Sequence, residues 1–264
     1  MYSGIDIGGT TIRLASTKSL DSLRLENKIS FPNSHNFEKD FKKIVRLIKS
    51  IAKTTEGIGI GIPGDLDKER STVFCTNNLK EWEGKPILKK FEEEFHCSVV
   101  IDNDAVVAAL GESHYGRYQK DFAYITWGTG IGGALVKKDS DHYNVTQLTW
   151  ANYLASWEKA CGGRRIRERF GNPPDKLEEQ EWEIVMNDFL KELVKFARKL
   201  RPRSIVFGGG ISLRQKARLM NLASKLKTQN FLGNKPIIKI TQLGGETGLY
   251  GAFVLLRIYL SQIR

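Results

Sequence analysis

Residues 2–16 read YSGIDIGGTTIRLAS, and residues 122–136 read FAYITWGTGIGGALV. Each stretch has two short apolar segments on either side of a glycine turn, which is the pattern of a β-hairpin. Since the same pattern opens both halves of the chain, we expect two similar halves that each begin with such a hairpin.

Helices and buried strands are predicted after each hairpin. Apolar residues at helical spacing predict a helix over 37–53, and the run GIGIGI predicts a strand over 57–62. The remaining predictions are helices at 87–95, 105–116, 155–169, 181–200, 212–227 and 247–260, and strands at 98–101, 204–207 and 236–240. This alternation indicates an α/β protein with domains at 1–120 and 121–264, in which the final helix stays with the second domain or packs back on the first.

The composition excludes several classes of protein. With 41% hydrophobic and 27% charged residues, the 264-residue chain has the composition of a folded domain rather than of a disordered or fibrous protein. No apolar run approaches the roughly 18 residues of a membrane-spanning helix, and charged residues interrupt the first thirty positions where a signal peptide would be apolar. We therefore expect a cytoplasmic protein that does not bind membranes.

Positive charge is concentrated in the second half of the chain. Residues 1–120 contain 18 basic and 17 acidic residues, whereas residues 121–264 contain 23 basic and 13 acidic residues. This excess attracts anions such as nucleotide triphosphates, polyphosphate or nucleic acid, unless the basic runs are simply solvated surfaces. Charge alone gives only sequence-independent affinity, so no specific nucleic-acid binding is expected.

The glycine turns are candidates for phosphate binding. Without a Cβ atom, the backbone can approach an anion and direct several N–H groups at it. The candidate residues are Gly8, Gly9, Thr10 and Thr11 in the first turn and Gly128, Thr129 and Gly130 in the second. Asp6 lies within an apolar strand beside the first turn, where its carboxylate could hold Mg²⁺ through water. The Walker motif of P-loop proteins is absent.

Polar residues follow a second buried strand. Asn103 and Asp104 come between the apolar run 99–101 and a predicted helix, at the end of a strand where open α/β sheets bind ligands. The helix dipole favours an ionised Asp104, which could accept a hydroxyl proton, although both residues could also serve only as helix caps. Asn77 and Asn78 carry amides suited to sugar hydroxyls, or form only a polar loop.

Several motifs together resemble the ROK family of sugar kinases. They are DIGGT at 6–10, GIPG at 61–64, NL at 78–79 with WEG at 82–84, DNDA at 102–105, GTGIGG at 128–133, IVFGGG at 205–210 and GLYGA at 248–252. They occur in the family's order and span the chain. The resemblance implies two similar actin/hexokinase-like (ribonuclease H-like) α/β domains around a cleft.

The resemblance also implies a function and a set of site residues. The implied reaction is the ATP- and Mg²⁺-dependent phosphorylation of a hexose hydroxyl, usually the 6-OH of glucose or a related hexose. Asp104 resembles the general base, and Gly64, Asn78 and Asn103 resemble sugar contacts. The implied phosphate contacts are Asp6 with Gly8 to Thr10 and Gly128 to Gly130, and the implied adenosine contacts are Gly208, Gly209 and Gly210.

Several alternatives to this function stay open at the level of sequence. The protein could be an N-acetylhexosamine kinase, or a sugar-binding regulator without catalytic activity. The phosphoryl donor could be polyphosphate instead of ATP, because the basic second half suits either polyanion. The sequence leaves the oligomeric state open, with a homodimer as one option.

The sequence departs from the family at one place. Family members commonly carry an E-x-G-H motif that reaches the sugar and a C-x-C-G-x-x-G-C cluster that binds zinc, and neither occurs between Val136 and Glu158 or around Cys161. We therefore expect no zinc site and weak hexose binding. The candidates to replace the missing sugar contacts are Asn144, Gln147, Asn152 and Glu158.

Overall fold

The computed structural model of the protein describes residues 1–116, 121–140, 142–230 and 235–263. Contacts divide the chain into two compact units, Met1–Tyr115 with Glu246–Arg264, and Gly116–Gly245. We call them unit 1 and unit 2. The last helix thus belongs to unit 1, which is the second of the two placements that the sequence leaves open.

The elements follow one another as strands and helices in both units. In chain order they are β1 (Tyr2–Ile7), β2 (Thr11–Thr17), β3 (Glu26–Pro32), α1 (Phe37–Ile51), β4 (Gly57–Ile62), β5 (Asp65–Leu66), β6 (Val73–Cys75), α2 (Ile87–Phe95), β7 (Ser98–Asn103), α3 (Asp104–Tyr115), β8 (Phe122–Trp127), β9 (Ile131–Asp139), β10 (His142–Gln147), α4 (Ala155–Cys161), α5 (Gly163–Phe170), α6 (Glu179–Leu200), β11 (Ser204–Gly208), α7 (Gly210–Arg214), α8 (Lys216–Lys227), β12 (Ile237–Ile240) and α9 (Thr247–Gln262). Short helical turns occupy Lys80–Trp82, Trp150–Leu154, Pro174–Lys176 and Gly244–Glu246.

Unit 1 contains a five-stranded sheet in the order β3-β2-β1-β4-β7. β1, β2 and β3 are antiparallel neighbours, whereas β4 and β7 run parallel to β1. The register places Asp6 of β1 beside Gly61 of β4, and Gly61 beside Asp102 of β7. The carboxyl ends of these three strands therefore meet at one edge of the sheet.

Unit 2 repeats this arrangement. Its sheet has the order β10-β9-β8-β11-β12, again with three antiparallel strands followed by two parallel ones. Thr126 near the end of β8 lies beside Gly208 at the end of β11. The two similar α/β halves predicted from the glycine hairpins are confirmed.

Close packing of α9 completes unit 1. A Cβ atom on Gly59 would lie 2.0 Å from the carbonyl oxygen of Ala252, and one on Gly251 would lie 1.7 Å from that of Val107. Both positions therefore require glycine, because a Cβ atom cannot come within 3 Å of backbone without displacing it.

The sequence also explains where α1 begins. Asn36 caps this helix by accepting from the N–H of Lys39 at 3.0 Å, and the apolar face of the helix is buried.

The core of unit 2 is built around aromatic rings. The ring of Phe189 on α6 lies with its centroid 4.3 Å from that of Trp127, 4.9 Å from Trp157 and 5.7 Å from Phe207. Cys161 is buried in the same core, and its carbonyl oxygen accepts from Nε1 of Trp127 at 2.6 Å. This thiol is therefore part of the hydrophobic core.

Local details differ from the sequence-based predictions. The helix predicted at 155–169 is broken at Gly162, whose backbone is extended, and the one predicted at 212–227 begins at 210 and is broken at Gln215. Strands β3 and β10 were not predicted, because each contains few apolar residues. None of the helices formed by the described residues has the length and apolar character needed to cross a bilayer.

Candidate active site

Asp6 lies near the carboxyl end of β1 with a side chain that is only 15% exposed. Burial raises the pKa of this carboxyl group, and the guanidinium of Arg13, whose Nη1 is 3.3 Å from Oδ2, opposes that rise. A Cβ atom on Gly248, at the start of α9, would lie 2.5 Å from Cγ of Asp6. Only glycine at position 248 lets α9 approach this carboxylate so closely.

Asp104 is the first residue of α3, directly after β7. Its Oδ1 accepts from the backbone N–H of Ala105 at 2.9 Å. Burial, assisted by the negative charge of Asp6, raises the pKa of Asp104 to about 7. The two carboxylates are thus close enough to influence each other, and together they form an acidic pair at one edge of the sheet in unit 1.

The first glycine turn joins β1 to β2 beside this pair. The N–H of Gly8 donates to the carbonyl oxygen of Thr11 at 2.9 Å, which closes the turn. Asn33, which follows β3, donates from Nδ2 to the carbonyl oxygen of Gly8 at 2.8 Å and from its backbone N–H to that of Thr10 at 2.9 Å. Sequence reasoning missed Asn33, because no motif or spacing marks it.

Asn103 connects two of the predicted sugar contacts. Its Nδ2 donates to the carbonyl oxygen of Gly64 at 2.8 Å, while its Oδ1 accepts from the N–H of Ala105 at 3.0 Å. Gly64 has a φ of +125°, and a Cβ atom there would lie 2.6 Å from the carbonyl oxygen of Cys75. Asn103 therefore caps α3, and it also holds the Gly64 turn against the start of that helix.

Asn78 belongs to a loop that leads into the turn at Lys80–Trp82. Its backbone N–H donates to Oγ1 of Thr76 at 3.2 Å, and its carbonyl oxygen lies 3.2 Å from Nδ1 of His35. Within the part of the chain that the structure describes, the half-buried side-chain amide of Asn78 makes no hydrogen bond. The loop is anchored by its backbone, which leaves the amide available to a ligand.

In unit 2, the start of α5 forms hydrogen bonds with the second glycine turn. The N–H groups of Gly163 and Arg164, in the first turn of α5, donate to the carbonyl oxygens of Gly128 at 2.9 Å and Thr129 at 2.8 Å. A Cβ atom on Gly128 would lie 4.0 Å from the backbone nitrogen of Gly210. The structure therefore brings the predicted phosphate turn and the predicted adenosine residues, Gly208 to Gly210, next to each other.

The four residues named as replacements for the missing sugar motif have different surroundings. Glu158 is buried, and its Oε2 accepts from the N–H of Ile131 at 3.2 Å, so its carboxylate supports the second glycine turn. Asn144 and Gln147 lie on β10, and Asn152 is exposed in the turn at Trp150–Leu154. The structure thus removes Glu158 from the candidates, because its carboxylate is already engaged inside unit 2.

A comparison of sequences identifies the family. The model of the ROK family matches residues 2–142, which is more than half of the chain. The chain belongs to the ROK family. Among its relatives, the glucokinase of Streptomyces coelicolor is 25% identical over an alignment of 316 positions that covers 96% of each chain. The fructokinase of Zymomonas mobilis is 26% identical and covers 97% of this chain and 96% of its own.

Solved structures give the same fold. The crystal structure of a ROK-family glucokinase from Streptomyces griseus in complex with glucose and AMPPNP superimposes with a TM-score of 0.76. The two sequences are 23% identical, and the match covers 97% of this chain and 99% of the other. The predicted fold, two similar α/β domains of the actin/hexokinase type, is confirmed.

Proposed function

We propose that this ROK protein is an ATP-dependent kinase that phosphorylates a hexose hydroxyl, the 6-OH of glucose or of a related hexose. The observation that carries the proposal is the pair Asp6 and Asp104 beside the first glycine turn. It combines a carboxylate whose pKa lies close to 7 with a loop suited to phosphate. The relatives named glucokinase and fructokinase support the same reaction class.

In this mechanism Asp104 is the general base. A base is most effective when its pKa is near the working pH, and the pKa of about 7 satisfies that condition. Because Oδ1 already accepts from the N–H of Ala105, Oδ2 is the oxygen that takes the proton from the sugar hydroxyl. The freed oxygen then attacks the γ-phosphorus of the donor in line with the departing ADP.

Asp6 suits a magnesium ion. No group of three or more His, Cys, Asp and Glu side chains is arranged for a metal in residues 1–116, 121–140, 142–230 and 235–263. Mg²⁺ needs no such group, because one or two carboxylates suffice when water and substrate phosphates complete its shell. Asp6 would hold it through water, and Mg²⁺ would neutralise charge on the transferred phosphoryl group. Arg13 limits the negative charge that Asp6 presents.

The sugar contacts are proposed on unit 1. The unused amide of Asn78, the second N–H of the Asn103 amide and the backbone of the Gly64 turn supply polar groups for sugar hydroxyls. Glucokinase and fructokinase relatives are almost equally similar to this chain, so overall identity does not select the hexose. The substrate therefore has to be found by experiment.

The nucleotide part of the proposal rests on unit 2 alone. Gly128, Thr129 and Gly130 would contact phosphate, and Gly208 to Gly210 would contact the adenosine. Their adjacency in unit 2 and the fold shared with a glucokinase that binds AMPPNP support this assignment. The excess of basic residues in the same half would also suit polyphosphate as donor, so both donors belong in the assay.

An ADP-release screen tests the function. Purified protein is incubated with Mg²⁺-ATP and, separately, glucose, mannose, fructose, allose, N-acetylglucosamine and N-acetylmannosamine, and a parallel series replaces ATP by polyphosphate and detects the sugar phosphate. Sugar-dependent ADP release that is lost in Asp104→Asn is the expected result. Turnover only with an N-acetylhexosamine would reassign the substrate, and sugar binding without turnover would indicate a regulatory protein.

A further inference from the structure

Asn33 makes hydrogen bonds to the first glycine turn from both its side chain and its backbone. Its side chain is 7% exposed, and its Nδ2 and backbone N–H hold the carbonyl oxygens of Gly8 and Thr10. Its Oδ1 accepts from the N–H of His35 at 2.8 Å, which fixes the orientation of the amide. The donor of Asn33 is thereby committed to the carbonyl of Gly8.

The direction of these two carbonyl groups decides what the turn can bind. Carbonyl oxygens repel phosphate, whereas N–H groups attract it. In a planar trans peptide the carbonyl and the following N–H point in opposite directions, and no cis peptide occurs among the described residues. When Asn33 holds the carbonyl of Gly8, the N–H of Gly9 therefore points away from Asn33.

We propose that Asn33 is a positioning residue that orients the Gly8–Thr11 turn so that the N–H of Gly9, and not the carbonyls of Gly8 and Thr10, faces the phosphoryl donor. This inference rests on the proposed function for the identity of the ligand. Asn33 does not touch substrate itself. It acts through the backbone of the turn. Its amide provides a hydrogen bond to the carbonyl of Gly8 that the β1–β2 hairpin does not make by itself.

The residues that hold the phosphate turn also contact the loop that carries Asn78. His35, which donates to Oδ1 of Asn33, also places Nδ1 3.2 Å from the carbonyl oxygen of Asn78. The loop after β3 therefore connects the phosphate turn with the loop that carries Asn78. Since His35 is exposed and Asn33 is buried, the stronger of the two links is the one to the phosphate turn.

Asn33→Asp tests the donor with almost no change in shape. The carboxylate can still accept from His35 but cannot donate to Gly8, and its charge repels the carbonyl it faces. The matched control is Asn36→Asp, which makes the same charge change three residues later, where aspartate is also a good cap for α1. This variant likewise loses an amide donor, but one that contacts the exposed carboxylate of Glu81 at 2.9 Å and not the phosphate turn. Asn33→Ala is a second variant that removes the donor without adding charge.

The experiment measures kcat and both KM values for the wild type and the three variants, with thermal unfolding to confirm that each is folded at the assay temperature. We expect kcat/KM for the nucleotide to fall about 10- to 100-fold in both Asn33 variants, because small misplacements of a binding loop are costly. The KM for the sugar should change less, and Asn36→Asp should stay within about twofold of the wild type. The inference would be overturned if kcat/KM for the nucleotide were the same in the Asn33 variants as in Asn36→Asp. It would also be overturned if the Asn33 variants impaired the constants for nucleotide and for sugar equally.

Amide hydrogen exchange over residues 8–12 separates this inference from the proposed function. Faster exchange in both Asn33 variants but not in Asn36→Asp is expected whether or not the protein phosphorylates a sugar. If the wild type turns over no sugar, the proposed function fails while the exchange data still report on the turn. Unchanged exchange in the Asn33 variants would refute the positioning role even in an active enzyme.

Discussion

Asp104→Asn is expected to abolish most phosphoryl transfer and, at the same time, to make the folded protein more stable above pH 7. Loss of the proton acceptor should lower kcat by about 10² to 10⁴-fold. The amide retains an oxygen that can accept from the N–H of Ala105, so α3 should still begin at the same residue. The two effects have one cause, because the half-buried carboxylate is both the base and an unfavourable charge.

The size of the stability gain follows from the pKa of Asp104. Its value of about 7 in the folded protein compares with an ordinary value near 4, and such a difference corresponds to at most roughly 4 kcal/mol. Because the side chain is half-buried and partly screened by solvent, we expect about 1–3 kcal/mol. Above pH 7 the wild type carries the full cost of the charge. As the pH falls from 7 toward 4, the folded state takes up the proton first, so the wild type gains stability and the difference disappears.

Denaturant unfolding at pH 8, 6 and 4 measures the free energy of unfolding, with Asp175→Asn as a control that neutralises an exposed carboxylate in unit 2. Wild-type kcat/KM should also rise with pH through about 7, since the base must be ionised. Two results would refute the reasoning: a variant that keeps more than a tenth of wild-type kcat, or a stability difference that grows as the pH is lowered.

Four further predictions concern the metal, the acidic pair and the sugar. Asp6→Asn should lower kcat about 10- to 100-fold at fixed Mg²⁺, because it removes the proposed magnesium ligand. It should also move the acidic limb of the pH profile to lower pH, because the charge of Asp6 raises the pKa of Asp104; an unmoved limb would contradict this. Gly248→Ala should cost about 1–3 kcal/mol in denaturant unfolding and reduce kcat, whereas Gly245→Ala, where a Cβ atom meets nothing within 4 Å, should do neither. Activity should survive chelation of transition metals but not removal of Mg²⁺, and near-stoichiometric zinc by metal analysis of untagged protein would show this to be wrong. Steady-state kinetics should give a KM for glucose in or above the millimolar range with poor selectivity over mannose, whereas micromolar KM with a hundredfold preference would mean that another segment has rebuilt the sugar contacts.

Most of the fold could be predicted from the sequence because its signals are local. The two glycine hairpins, the apolar run of β4 and the amphipathic faces of α1 and α6 each lie within one stretch of chain. Strands β3 and β10 escaped prediction, because they occupy edges of their sheets, where β3 has one buried residue and β10 has none. The breaks at Gly162 and Gln215 depend on tertiary contacts that no local pattern reveals.

The candidate site was only partly predictable. Asp6, Asn103 and Asp104 are recognisable because polar residues at the ends of buried strands need a reason to be there. Arg13 and Asn33 are ordinary polar residues in the sequence, and their importance appears only when folding places them against Asp6 and the turn at Gly8. Glu158 is one of four candidates in the sequence for the missing sugar contacts, and only the structure shows that its carboxylate accepts from the N–H of Ile131.

The position of α9 at the end of the sequence means that unit 1 is completed last during synthesis of the chain. Leu249, Phe253 and Leu256 fill unit 1, yet the whole of unit 2 lies between them and the rest of that unit in the sequence. At roughly 5–20 residues per second, a ribosome needs on the order of ten seconds to make the intervening residues. Throughout that interval the apolar faces of α3 and β4 stay uncovered by α9, so unit 1 cannot complete its core until the last helix has been made.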